Sequence, residues 1–156
     1  MKNVVGIALA LIFLSGCDIW VDNDKTGPKD GNMCWVASAS NLIEAKTGQE
    51  NVFEFLKNNL KNEAGHPAKL LRILGFNPLS KNFEIESFRA DLKSYKALSV
   101  TFGSETQARH AITVWCMVGS TLIITDSDDG YHGLVARQII DGKLDGVYKI
   151  YRYVGI

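Results

Sequence analysis

Cysteine is scarce in this chain: Cys17, Cys34 and Cys116 are the three in 156 residues. That excludes a framework of several disulfides and leaves room for one bridge at most, between Cys34 and Cys116 if Cys17 is otherwise used. Neither sign of charge dominates, with 17 Lys and Arg against 17 Asp and Glu, and no basic run occurs. Nucleic acid is therefore not an expected partner. The apolar and glycine run at the N-terminus, Val4 to Leu14, is 11 residues long, well short of the roughly 20 that span a bilayer as a helix. Internal repeats and low-complexity tracts are missing as well. What the chain does have is 46% apolar side chains, enough to argue for a folded globular protein with a core of its own.

The short apolar run follows Lys2 and ends in Leu14-Ser15-Gly16-Cys17. A positive start and a run of that length read as a signal peptide, residues 1–16, outside the fold. The last four residues resemble the lipobox of bacterial lipoproteins. The resemblance implies cleavage before Cys17 and acylation of that residue. Several acyl chains on one residue hold a protein stably at a membrane, where one chain binds only marginally. Localisation in a bacterial cell envelope, lipid-anchored and extracytoplasmic, is the expectation that follows. Removing 16 of 156 residues leaves 140, with 16 basic and 17 acidic side chains, a length that suits one domain. Residues 17–30 are polar and turn-rich (Lys25-Thr26-Gly27-Pro28-Lys29-Asp30) and read as a tether, with the domain proper spanning 31–156.

The domain opens on Gly31-Asn32-Met33-Cys34-Trp35-Val36-Ala37-Ser38-Ala39-Ser40-Asn41-Leu42-Ile43, a polar loop running directly into a helix with a cysteine at the junction. A helix N-terminus carries partial positive charge and unsatisfied N–H groups, so it favours the anionic form of a thiol placed there. The same N–H groups can stabilise an oxyanion forming beside the sulfur. Val36, Ala39, Leu42 and Ile43 lie near helical spacing to about Lys46, and Gly48 suits the stop.

Residues 51–94 read as helical. Asn51 is positioned to cap a helix bearing Val52, Phe55, Leu56 and Leu60, and Pro67 suits the first turn of one bearing Leu70, Leu71 and Leu74. A third carries Ile85, Phe88 and Leu92. His66, between Gly65 and Pro67, reads as a surface residue of a connection. From about Lys96 the period changes: Leu98, Val100 and Phe102 alternate with Ser99 and Thr101, as in a half-buried strand. Further strands are predicted over 109–118, 121–127, 132–140 and 147–154, with turns at Asp141-Gly142 and Asp145-Gly146. The layout is α+β, helices first and an antiparallel sheet second.

Two stretches of the β half carry chemistry: Arg109-His110-Ala111-Ile112-Thr113-Val114-Trp115, and Leu122-Ile123-Ile124-Thr125-Asp126-Ser127-Asp128-Asp129-Gly130. A cysteine hydrolase needs an imidazole to move the thiol proton and a carboxylate to orient that imidazole. Strand alternation tests whether His110 and Asp126 can meet. A two-residue turn at Gly119-Ser120 sets Val118 against Thr121 and His110 against Asp129, with Asp126 and Asp128 on the other face. A three-residue loop sets His110 against Asp128 and puts Asp126 on the same face. Pairing of His110 with Asp126 thus requires an odd-length loop or a bulge. The acidic run fails as an EF-hand, because Gly130, Tyr131 and Arg137 occupy its fifth, sixth and twelfth positions. No metal or cofactor is expected. His132 is the runner-up base.

Taken together, Asn32 to Ile43, His110-Ala111-Ile112-Thr113-Val114-Trp115 and Ile123-Ile124-Thr125-Asp126-Ser127-Asp128 resemble the immunoglobulin-degrading (IdeS/Mac-type) cysteine endopeptidases of the papain-like clan. The resemblance implies a papain-like fold and a cysteine peptidase with Cys34 as nucleophile, His110 as general base and Asp126 as orienting acid. It makes Asp128 a supporting carboxylate and the Cys34 N–H part of the oxyanion hole. That family adds a lysine upstream of the cysteine, for which Lys25 and Lys29 are the candidates. The chain is under half the family's usual length and has Cys116 where the family tends to have glycine, so reaction type carries over better than substrate. The expected partner is a protein or peptide substrate, with the protein acting as a monomer. The competing readings are a papain-like cell-wall amidase or endopeptidase, and a catalytically idle papain-like lipoprotein that binds a surface or host protein.

Overall fold

The structure, a computed structural model, describes residues 32–61, 65–103, 108–127 and 134–156. The signal segment, Cys17, the tether with Lys25 and Lys29, Asp128 and His132 all lie outside the described residues. Within them, no helix is long and apolar enough to cross a membrane.

Among the described residues, four helices come largely before the sheet: α1 (Cys34–Thr47), α2 (Val52–Asn59), α3 (Pro67–Ile73) and α4 (Ile85–Ser94). The strands are β1 (Leu79–Asn82), β2 (Leu98–Gly103), β3 (Ala108–Val118), β4 (Thr121–Thr125), β5 (Val135–Ile140), β6 (Lys143–Leu144) and β7 (Tyr148–Gly155). All pairings are antiparallel, in the order β1-β7-β2-β3-β4-β5-β6, and β6 also pairs with β7. Pairing therefore runs from β7 through β2 to β6 and back to β7, which leaves few open edges for another chain to add to. The α+β layout read from the sequence is what forms. One correction concerns residues 51–94: Leu79–Asn82 is a strand, not part of a helical stretch, because it pairs with the last strand of the chain, Leu79 opposite Gly155 and Asn82 opposite Arg152. No local pattern announces a partner some 70 residues away.

Helix α1 is buried on almost every side, including Val36, Ala37, Ser38, Ala39, Ser40, Asn41, Leu42 and Glu44. A helix enclosed all round has no solvent face to mark with charge, and its apolar stripe is correspondingly weak in the sequence. It ends at Gly48, whose φ of 73° is the left-handed conformation that glycine adopts without a Cβ penalty. The first turn of α2 is capped differently from expectation. Asn51 makes no side-chain capping bond; the Val52 N–H donates instead to the buried Glu44 carboxylate at 2.7 Å. This ties the end of α1 to the start of α2.

The sheet is covered on both faces. One cluster gathers α1, α2 and α3 residues with Trp115 and Val154. The other gathers Phe88 and Leu92 of α4 with Leu98, Val100, Phe102, Ile112, Val114, Leu122, Ile124, Ile150 and Tyr153. Ser99 and Thr101, expected on the solvent side of a half-buried strand, are buried at 0% and 2% exposure. The reason for Ser99 is α1: the Ser38 hydroxyl lies 2.7 Å from Ser99 Oγ, 2.9 Å from the Ile112 carbonyl and 3.2 Å from Thr113 Oγ1. Farther along the helix, Asn41 Nδ2 donates to Thr113 Oγ1 at 2.9 Å and Thr125 Oγ1 at 3.3 Å, and Trp115 Nε1 donates to Thr125 Oγ1 at 3.0 Å. Each such bond contributes only about 1 kcal/mol net, but leaving its donor or acceptor unmatched in the core costs more, so the set fixes one register of helix on sheet.

Close packing at the start of α1 yields a first prediction. A Cβ on Gly65 would lie 2.5 Å from two atoms of the Trp35 indole, well inside van der Waals contact. Gly65→Ala should therefore destabilise the protein by about 1–3 kcal/mol through overpacking and displace the ring. A lowered denaturation midpoint with altered tryptophan emission is the expected result; an unchanged midpoint would contradict this packing.

Candidate active site

Three elements converge on the site. Cys34 is the first residue of α1, with Met33 as the non-helical residue before it. Its N–H belongs to the first turn, where no helical carbonyl is available to accept it. His110 lies near the start of β3, opposite Phe102 of β2, and Asp126 directly follows β4.

The hairpin between β3 and β4 meets the alternation requirement by the second of its two routes. The turn is the tight Gly119-Ser120 pair, with Val118 opposite Thr121, Met117 opposite Leu122 and Cys116 opposite Ile123. Beyond that the register shifts, so that Val114 faces Ile124 and Thr113 faces Thr125, and Trp115 is left over as a bulge. One extra residue on β3 carries His110 onto the side of Asp126. The imidazole Nε2 and Asp126 Oδ1 are 2.7 Å apart, the separation of a short charge-assisted bond.

The Cys34 side chain sits close enough to the same imidazole for its charge to act on the ring. With Nε2 committed to Asp126, Nδ1 is the nitrogen left to exchange a proton with the thiol. Phe102 holds the ring from one face, its centroid 6.3 Å away and its plane 19° from that of the imidazole. Side-chain exposure is 21% for His110 and 11% for Asp126. Burial by itself pulls the imidazole toward the neutral form. It is outweighed by the Asp126 hydrogen bond, by the nearby Cys34 side chain and by the negative charge of both, which together raise the His110 pKa to about 10. The imidazole is thus protonated at neutral pH, and its Nε2–H donates to Asp126.

Cys34 is a free thiol, so the one bridge open to it, with Cys116, is not formed. His66 is not the surface residue expected. It is the residue before α3, and its Nδ1 accepts the Ala68 N–H at 3.2 Å. Burial, then the charges of Arg152 and Arg72, lower its pKa, so it stays neutral. Among the described residues, no group of three or more His, Cys, Asp or Glu could hold a metal ion. Asp128, Lys25 and Lys29 fall outside the described residues.

Two contributions to the site escape a reading of motifs. Phe102 orients the imidazole across the β2–β3 pair, and the Ser38–Asn41–Thr113–Thr125 network docks the cysteine helix on the histidine strand. Both leave a trace in the sequence after the fact: Ser38 and Asn41 are three residues apart on one helix, Thr113 interrupts the apolar run from Ala111 to Met117, and Thr125 closes the run Leu122–Ile124. No protein-family model matches this chain, and no curated protein matches it significantly.

Proposed function

We propose that the protein is a cysteine peptidase that hydrolyses peptide bonds through a thioester intermediate, with Cys34, His110 and Asp126 as its triad. The observation that carries this reading is the His110–Asp126 pair, 2.7 Å from Nε2 to Oδ1, with the Cys34 side chain at a helix N-terminus near enough to act on the same imidazole. Nothing in a merely structural role for His110 calls for both partners at once.

A protonated imidazole beside a sulfur favours the thiolate. The thiolate attacks the scissile carbonyl carbon, forming the C–S bond and moving the carbonyl π electrons onto oxygen. The Cys34 N–H is positioned to donate to that oxyanion. As the tetrahedral intermediate collapses, the C–N bond breaks and the His110 imidazolium protonates the departing amine. The now neutral imidazole takes a proton from water, which attacks the thioester. Collapse of the second intermediate expels the thiolate and restores the ion pair. Asp126 stays ionised throughout, holding the ring and stabilising its charged form.

The papain-like fold and the kinship with immunoglobulin-degrading endopeptidases belong to this proposal, supported by the helix-on-sheet layout and by the three sequence blocks. So does location: acylation at Cys17 would hold the domain on the outer side of a bacterial membrane, where an extracytoplasmic protein is the substrate. The direct test is alkylation of Cys34 by an iodoacetamide probe at neutral pH. An unassisted cysteine is only a few per cent ionised there, so His110→Ala should label at least about tenfold more slowly. Equal rates in the two proteins would sink the activated thiolate.

A further inference from the structure

One row of residues crosses the sheet beside the site: Ala111 of β3 faces Thr101 of β2, Thr101 faces Arg152 of β7, and Arg152 faces Asn82 of β1. Residues directly opposite in a ladder share a face. Thr101 is 2% exposed, and its Oγ1 has no hydrogen-bond partner. The Arg152 guanidinium is held in place, Nη2 donating to Asn82 Oδ1 at 3.1 Å and to the Tyr151 hydroxyl at 3.3 Å, and it sits over the Tyr151 ring at 5.2 Å. Its Nε is nonetheless buried without an acceptor.

His66 supplies a second such donor. Because its Nδ1 accepts the Ala68 N–H and the ring is neutral, the proton sits on Nε2, which is buried and has no acceptor. Arg152 and Arg72 are both close enough for their charges to act on this ring, and among the described residues no carboxylate does so. Two N–H donors and a hydroxyl, each buried without a hydrogen-bond partner and with a fixed positive charge beside them, are an expensive arrangement. Buried polar groups are matched in all but a few cases, and an exception points to a water or ion. Water would satisfy the donors but leave the guanidinium charge uncompensated. A carboxylate would satisfy both.

The position of the row connects it to the chemistry. Ser99, two residues before Thr101 and on the same face of β2, bonds to Ser38, one helical turn after Cys34. Gly65, which precedes His66, packs against the Trp35 ring, and Trp35 follows Cys34. We propose that His66, Thr101 and Arg152 form a carboxylate site beside the Cys34–His110 centre, and that it receives an acidic group of the substrate. The anion site stands on its own geometry; its assignment to the substrate rests on the peptidase reading.

The test separates the two. In the full chain carrying Cys34→Ser, acetate is titrated while the imidazole Cε1–H resonances are followed by NMR. The His66 signal should move saturably, and the movement should vanish in Arg152→Met. Thr101→Val, which keeps the side-chain shape and removes the hydroxyl, should weaken acetate at least threefold, and it decides the matter if Arg152→Met does not fold. A His66 signal that fails to saturate, or that saturates alike with Thr101→Val, overturns the site. In the second arm, active protein is given peptide libraries with Glu or Gln at each position. Glu should raise kcat/KM at least tenfold at one position, and that preference should collapse with Arg152→Met. Equal cutting of Glu and Gln peptides by a protein that binds acetate overturns the substrate assignment. Absence of any cutting counts against the peptidase reading, with the acetate arm still deciding the anion site.

Discussion

Replacing His110 with alanine should lower peptide hydrolysis by a factor on the order of 10⁴ or more, the scale seen when one member of a catalytic unit is lost. The side chain has two duties in the proposed cycle. It keeps the sulfur ionised before attack and gives a proton to the amine that leaves. Extra hydroxide can replace the first duty, since a bare cysteine ionises as pH rises. It cannot replace the second. Alkylation of Cys34 in His110→Ala should therefore recover toward the wild-type rate above about pH 9, while peptide hydrolysis should not. Misfolding would also expose Cys34 to alkylation, so the comparison requires that His110→Ala keep the circular dichroism spectrum and denaturation midpoint of a folded protein. Hydrolysis retained within tenfold of wild type would remove His110 from the mechanism. Cys34→Ala, which lacks the nucleophile, sets the floor for comparison.

Much of the site was legible because its parts sit at places that local rules describe. Cys34 stands at a junction of polar loop and helix, His110 begins an alternating apolar strand, and Asp126 ends another. Alternation alone even stated the condition for their meeting. It could not say which of two devices would satisfy it, because a bulge at Trp115 depends on what that indole packs against. The Trp115 N–H reaches Thr125 across the hairpin, and the ring enters the cluster formed by the helices. Strand β1 was hidden for the same reason, since Leu79–Asn82 has meaning only once β7 lies beside it. Ser99 and Thr101 show the limit most plainly. Polar residues at alternate positions ordinarily face water, and here they face a helix whose own serine supplies a partner for one of them. Burial of polar groups is decided by tertiary partners, and these are not written in any one segment.

Asp126→Asn should leave the contact in place, remove its charge, and so shift the pH dependence of the site in a definite direction. In the wild type the carboxylate is one of the causes that hold His110 at about 10 against the opposing pull of burial. Without it the imidazolium loses its proton at lower pH. The alkaline limb of kcat/KM, expected near pH 10 in the wild type, should move toward neutrality, with hydrolysis at pH 7 falling about 10²- to 10⁴-fold. The same shift bears on stability, and the sign follows from linkage. His110 binds its proton more tightly folded than unfolded, where an ordinary histidine titrates near 6.5. The stabilisation is therefore fully present below about pH 6.5 and is lost as pH rises through about 10. Denaturant midpoints of the wild type should fall across that window, and those of Asp126→Asn should fall less and finish falling at lower pH. Parallel curves for the two proteins, together with an unmoved alkaline limb, would mean that Asp126 does not govern the charge of His110. The proposed triad would then reduce to a cysteine and a histidine, a pair able to ionise the thiol but lacking the group that keeps the imidazole charged and aimed at the leaving amine.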